Sequence, residues 1–110
     1  MIKPYYEHAG ITIYCGDCRE ILPQLDPVNA IITDPVWPNV PKDMYAGSDN
    51  PYGLLADAAQ HFTRLAERVV IQLGCNSDPR ILTAIPATLP FLRVCNLEYA
   101  IPGHRGRILY

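Results

Sequence analysis

Three features that the sequence lacks exclude whole classes of protein. No apolar run approaches the roughly 18 residues that a membrane-spanning helix needs, and the amino-terminal residues lack the apolar stretch of a secretory signal peptide. The sequence also lacks a large excess of charge of either sign, because it has nine Lys and Arg and eleven Asp and Glu, for a net charge of −2. No strong electrostatic footprint for nucleic acid follows from that balance, and we expect a soluble, cytoplasmic protein.

The composition is that of one folded domain with an excess of proline. Of the 110 residues, 49% are hydrophobic and 18% are charged, so we predict a single domain over residues 1–110. Eleven residues are proline, against a usual share of about 5%. Internal repeats and low-complexity segments are absent, which excludes a solenoid and a disordered tail.

The four cysteines favour free thiols over a metal site or disulfides. Cys15 and Cys18 form a C-x-x-C pair, whereas Cys75 and Cys95 stand alone, and a structural zinc site usually combines two close pairs. Disulfides are typical of secreted proteins, and nothing in the sequence indicates secretion. We therefore predict no metal and expect buried, reduced thiols that pack as small hydrophobic side chains.

Apolar segments separated by Gly, Pro and Asp predict alternating strands and helices. Five β-favouring runs predict strands, at residues 11–14, 29–33, 69–73, 91–100 and 107–110. The apolar residues of the 29–33 run are consecutive, as expected for a strand covered on both faces. Three helices are predicted at residues 18–25, 51–67 and 79–85, and their N-caps are Asp17, Asn50 and Asp78. Spacings of 3 and 4 give the longest helix one apolar face, formed by Leu55, Ala58, Phe62, Leu65 and Val69.

Residues 34–51 are predicted to form a long loop, because their prolines forbid a regular helix or ladder. Loops of this length are usually functional or disordered. This one carries Trp37, Met44 and Tyr45, too much apolar surface for a solvated linker, so we expect it to fold over another part of the chain.

The order of the elements predicts an α/β fold with a mostly parallel sheet. Ligands of such sheets bind at the carboxyl ends of the strands. Three loops are expected there, at residues 16–18, 34–38 and 74–78. Two of them place a carboxylate directly after a strand, and we expect chemistry at this edge of the sheet.

The segment Asp34-Pro35-Val36-Trp37-Pro38 has the groups needed to hold an exocyclic amine of a nucleobase. The lone pair of such an amine is delocalised into the ring, and two acceptors aimed at its hydrogens draw the nitrogen towards tetrahedral geometry. Asp34 and the carbonyl of Pro35 can supply the acceptors, since proline fixes the local backbone. Trp37 can stack on an extruded base.

This segment resembles the D-P-P-[YFW] motif of the S-adenosylmethionine-dependent amino-methyltransferases, which methylate adenine N6 or cytosine N4 in DNA. The similarity extends upstream, through YCGDCREILPQL at residues 14–25 and NAIITDP at residues 29–35. It implies a Rossmann-like methyltransferase fold, S-adenosylmethionine as cofactor, DNA as substrate and direct methyl transfer to the amine. It also implies that Asp34, Pro35 and Trp37 are catalytic and that Asp17 contacts the adenosine part of the cofactor.

The sequence differs from the family pattern in two respects. Val36 occupies a position that is usually proline, and no two glycines have the G-x-G spacing of the family's cofactor loop. In one circular order of the family that loop follows the catalytic motif. We therefore expect an incomplete domain whose missing carboxyl-terminal half carries the loop, and a chain that is a doubtful catalyst in isolation.

Simpler explanations exist for each candidate residue. Asp34-Pro35 is also a common turn opener, Trp37 can anchor the loop to the core, and Asp17 can be only a helix cap.

Two other functions compete with methyl transfer. The first is a thiol oxidoreductase using Cys15 and Cys18, although the carboxylate of Asp17 disfavours a thiolate at its neighbour. The second is a non-catalytic remnant that keeps the methyltransferase-like fold.

Overall fold

Short strands and helices alternate along residues 1–98, the part of the chain that the structure, a computed structural model, describes. The strands are β1 (Tyr6–His8), β2 (Ile11–Ile13), β3 (Ile31–Thr33) and β4 (Val69–Ile71). The α-helices are α1 (Cys18–Ile21), α2 (Pro51–Ala59) and α3 (Phe62–Leu65), and 3-10 helices cover Leu22–Gln24 and Pro79–Ala84. No helix within these residues is long and apolar enough to cross a membrane.

The first predicted strand belongs to a hairpin and not to the parallel sheet. β2 pairs antiparallel with β1, in a register that places His8 opposite Ile11. The two residues between them, Ala9 and Gly10, have φ of 50° and 81°, as a tight hairpin turn of the mirror-image type requires. All six strand residues are exposed. The prediction that this segment joins a parallel sheet was wrong, because the preceding residues offer a nearer partner.

The parallel sheet of the described residues has two strands. β3 pairs with β4 in parallel, in a register that places Ile32 opposite Val70. One face packs on the core through Ile31 and Val69, while Ile32 and Val70 on the other face are 80% and 57% exposed. The expectation that residues 29–33 are covered on both faces was therefore wrong.

The core lies beneath the sheet and is built around α2 and α3. It consists of Leu55, Ala58, Ala59, Phe62 and Ile81, all at most 9% exposed. The predicted 51–67 helix is interrupted at residues 60–61 and ends at Ala66, which is extended with φ −154° and ψ 151°. The apolar face was predicted correctly up to Leu65, but Val69 lies in β4, since the chain must become extended to enter the sheet.

The three predicted N-caps are all present. Asp17 accepts from the backbone N–H of Arg19, Asn50 accepts from that of Gly53, and Asp78 accepts from that of Arg80. Pro51 and Pro79 follow their caps, at helix positions that need no donor. Local capping chemistry therefore fixes where these helices begin.

Residues 91–98 contain no strand and are exposed throughout, so the prediction of a strand there was wrong. The rest of that segment, and the strand predicted at residues 107–110, lie outside the described residues. What the structure shows is a compact α/β domain with a small parallel sheet.

Candidate functional site

Two loops meet at the carboxyl end of the parallel sheet. β3 and β4 run side by side in the same direction, and the backbone N–H of Gln72 continues the pairing by donating to the carbonyl of Thr33 at 2.9 Å. Residues 34–38 and 74–78, which follow the two strands, are therefore neighbours. Two of the three loops expected at this edge lie there, whereas residues 16–18 follow the separate hairpin.

Asp34 and Trp37 are joined by a hydrogen bond. The indole Nε1 of Trp37 donates to Oδ1 of Asp34 at 2.8 Å, which leaves Oδ2 for another donor. Asp34 is exposed and Trp37 is partly buried. A carboxylate and a flat ring thus form one unit, and the bond restricts the orientation of both.

The benzo ring of Trp37 lies against the backbone of Gly74. A Cβ at position 74 would lie 2.7 Å from both Cε3 and Cζ3 of the indole, closer than side chains approach one another. Trp37 is therefore held at its nitrogen by Asp34 and along its benzo ring by the loop that follows β4.

A second contact ties the two loops together. The hydroxyl of Ser77, which is 9% exposed, donates to Oδ1 of Asn39 at 2.8 Å. Sequence reasoning assigned no role to Asn39, Gly74 or Ser77. The available signal was the position of Gly74, directly after a strand expected to neighbour the strand of Asp34.

Pro35 follows Asp34 at the same edge and is partly buried. No hydrogen bond within residues 1–98 occupies its carbonyl. The two predicted acceptors, Oδ2 of Asp34 and this carbonyl, therefore come from adjacent residues beside Trp37.

The remainder of the long loop is a series of turns. Ser48, only 3% exposed, accepts from the backbone N–H of Tyr45 at 2.7 Å. Met44 and Tyr45 are 51% and 60% exposed, whereas Trp37 is partly buried and packs against Gly74.

Asp17 is engaged by Arg19 instead of standing open. The Arg19 guanidinium binds both carboxylate oxygens, at 2.6 Å from Nη2 to Oδ2 and 3.0 Å from Nε to Oδ1. The hydrogen bonds from the side chain and backbone of Arg19 lower the pKa of Asp17 to about 2. No hydrogen bond or ion pair within residues 1–98 joins Asp17 to Asp34 or Trp37.

The four cysteines are free and exposed, so the expectation of buried thiols was wrong. No cluster of three or more His, Cys, Asp or Glu within residues 1–98 is suited to hold a metal ion.

A shallow groove of about 450 Å³ includes Pro38 in its lining. Its lining comes from the start of α2 and from the 3-10 helix Pro79–Ala84, and includes Tyr52, Asp78 and Arg80. Arg80, the one cationic side chain in this lining, is bound to Asp78 in an ion pair. It borders the loop of Trp37 and contains neither Asp34 nor Trp37.

Comparisons with protein-family models, with curated proteins and with solved structures found no match to this chain.

Proposed function

We propose that this chain binds an exocyclic amine of a DNA base, adenine N6 or cytosine N4, and takes part in methyl transfer from S-adenosylmethionine to that nitrogen. The observation that carries the proposal is the hydrogen bond between Trp37 Nε1 and Asp34 Oδ1. It fixes a carboxylate beside a flat aromatic ring at the edge where α/β sheets bind ligands.

In this proposal each group has a separate task. Oδ2 of Asp34 and the carbonyl of Pro35 accept the two amine hydrogens, and an indole ring provides a stacking surface for the base. Two acceptors that lie on one side of the base plane draw the amine hydrogens out of that plane. The nitrogen then becomes more tetrahedral, and its lone pair is less delocalised and projects from the opposite side. A nitrogen with such a lone pair can act as the nucleophile in methyl transfer.

The described residues do not complete a site for the cofactor. Asp17, the residue predicted to contact its adenosine part, already has both oxygens bound by Arg19, and it follows the hairpin, not the sheet. A glycine-rich loop is absent from the sequence, since no two glycines are spaced G-x-G.

The proposal therefore includes a partner or further segment that carries the cofactor loop. The uncovered face of the β3–β4 pair, with Ile32 80% exposed, fits a sheet that is part of a larger Rossmann-like one. In this proposal the chain provides the amine-binding part of a DNA methyltransferase.

The test compares oligonucleotides that differ only in the amine. Trp37 is the only tryptophan, so quenching of its fluorescence reports stacking directly. We expect single strands containing adenine or cytosine to bind at least about tenfold more tightly than strands whose target base lacks the exocyclic amine, because a hydrogen bond to a charged group contributes roughly 1.5–3 kcal/mol.

Asp34→Asn is the sharpest variant for this test. The amide keeps an oxygen for Trp37 but places an N–H₂ donor where Oδ2 accepted, so the preference for the amine should disappear. Asp43→Asn, in an exposed part of the same loop, is the matched control and should retain the preference. Equal affinity of the wild-type chain for strands with and without the amine would refute the proposal.

A further inference from the structure

The conformation of Trp37 depends on the loop after β4 as well as on its own loop. The Nε1 edge is tied to Asp34 at 2.8 Å. The opposite part of the indole, around Cε3 and Cζ3, lies so close to Gly74 that a Cβ there would be 2.7 Å away. An indole is rigid, so it cannot yield at one end without moving the other.

The backbone at Gly74 is also held in place. The carbonyl of Gly74 accepts from the backbone N–H of Ser77 at 2.9 Å, which closes a turn. The buried hydroxyl of Ser77 in turn donates to Asn39 at 2.8 Å. The turn therefore cannot withdraw from Trp37 without losing this part-buried hydrogen bond.

We propose that Gly74 is a positioning residue of the base-binding site: its missing side chain allows Trp37 to lie flat enough to keep its bond to Asp34 and to stack on a base. This inference rests on the proposed function for the identity of the ligand. Its structural part, the dependence of the Trp37 conformation on residue 74, stands on the contacts alone.

Gly74→Ala tests the inference because the added methyl group has one specific neighbour. The φ of Gly74 lies outside the left-handed region, so alanine brings no backbone strain of that kind and slightly restricts the unfolded chain. We expect a changed near-ultraviolet circular dichroism signal of Trp37 and a loss of affinity for the amine-bearing oligonucleotide on the order of tenfold, the range of one base–aromatic stacking contact.

Gly16→Ala is the matched control. Gly16 also follows a strand, but the nearest atom to a Cβ there is Cδ1 of Ile21 at 3.4 Å, the movable end of a flexible side chain. This variant should leave both the Trp37 signal and the affinity unchanged. A wild-type signal and affinity in Gly74→Ala would overturn the inference.

If Gly74→Ala destabilises the fold, a second variant that also lacks the indole shows whether Trp37 is the cause. In a double-mutant cycle with Trp37→Ala, the substitution at position 74 should cost little stability once the indole is gone. An equal cost in both backgrounds would overturn the inference, since the methyl group would then clash with something other than Trp37.

These experiments distinguish a failure of this inference from a failure of the proposed function. If the wild-type chain shows no preference for the amine, the proposed function fails, while the circular dichroism signal and the cycle still decide whether residue 74 positions Trp37.

Discussion

Aspartate followed two residues later by arginine occurs at two helix starts, and each pair forms the same local unit. Asp17 and Asp78 each cap a helix through the backbone N–H of the arginine and bind its guanidinium at the same time. In both cases the hydrogen bonds to the arginine lower the aspartate pKa to about 2. In both units the arginine binds both oxygens of the carboxylate.

Arg19→Gln should raise the pKa of Asp17 from about 2 towards its ordinary value of 3.8. Part of the depression should remain, because the backbone N–H of residue 19 still donates to the cap. Because the pKa of Asp17 is lower in the folded chain than in the unfolded chain, its ionised carboxylate stabilises the folded state at any pH above about 3.8. This contribution to stability is lost as the pH falls from about 3.8 to about 2.

Carboxyl signals followed by nuclear magnetic resonance over that pH range provide the measurement. Asp78, whose partner Arg80 is untouched, should still titrate at about 2 in the same sample. Titration of Asp17 at its wild-type value in Arg19→Gln would show that Arg19 is not the cause of the shift.

At the scale of elements, helix starts were easier to predict than helix ends and strand partners. The helix starts were predicted from the capping side chains of Asp17, Asn50 and Asp78, and the structure contains all three capping hydrogen bonds. The hairpin gave no such signal, because its turn is Ala9-Gly10 and not the Asn-Gly or Asp-Gly that marks such turns. The break after Ala59 was also hidden, since the apolar face continues through it.

The α2–α3 face should dominate stability. Leu65 is 2% exposed, and truncation of a buried leucine to alanine costs about 2–5 kcal/mol. Leu65→Ala should therefore lower the urea midpoint strongly. Leu92→Ala is the control, because Leu92 is 79% exposed and should change the free energy of unfolding by less than about 0.5 kcal/mol. Equal midpoints for the two variants would place the core elsewhere.

At the scale of the whole molecule, the sequence predicted which loops meet at the end of β3 and β4 better than it predicted how their side chains pack. Placement of Asp34 and Gly74 at one edge follows from two parallel strands, which alternating apolar runs already indicated. The contact between Trp37 and Gly74 could not be predicted, because the two residues are 37 positions apart and the contact depends on the direction in which the Trp37 side chain points. The extent of the sheet was overestimated for a similar reason: a β-favouring run does not specify its partner.

The central claim is that Asp34 and Trp37 act as one unit, and the indole N–H of Trp37 tests it most directly. As Trp37 is the only tryptophan, the proton–nitrogen correlation spectrum contains one indole signal. Asp34→Ala should shift that signal to the position of a water-bonded indole while the rest of the spectrum shows an intact fold, and Asp43→Ala should leave it in place. An indole signal at the same position in Asp34→Ala and in the wild type would contradict the account.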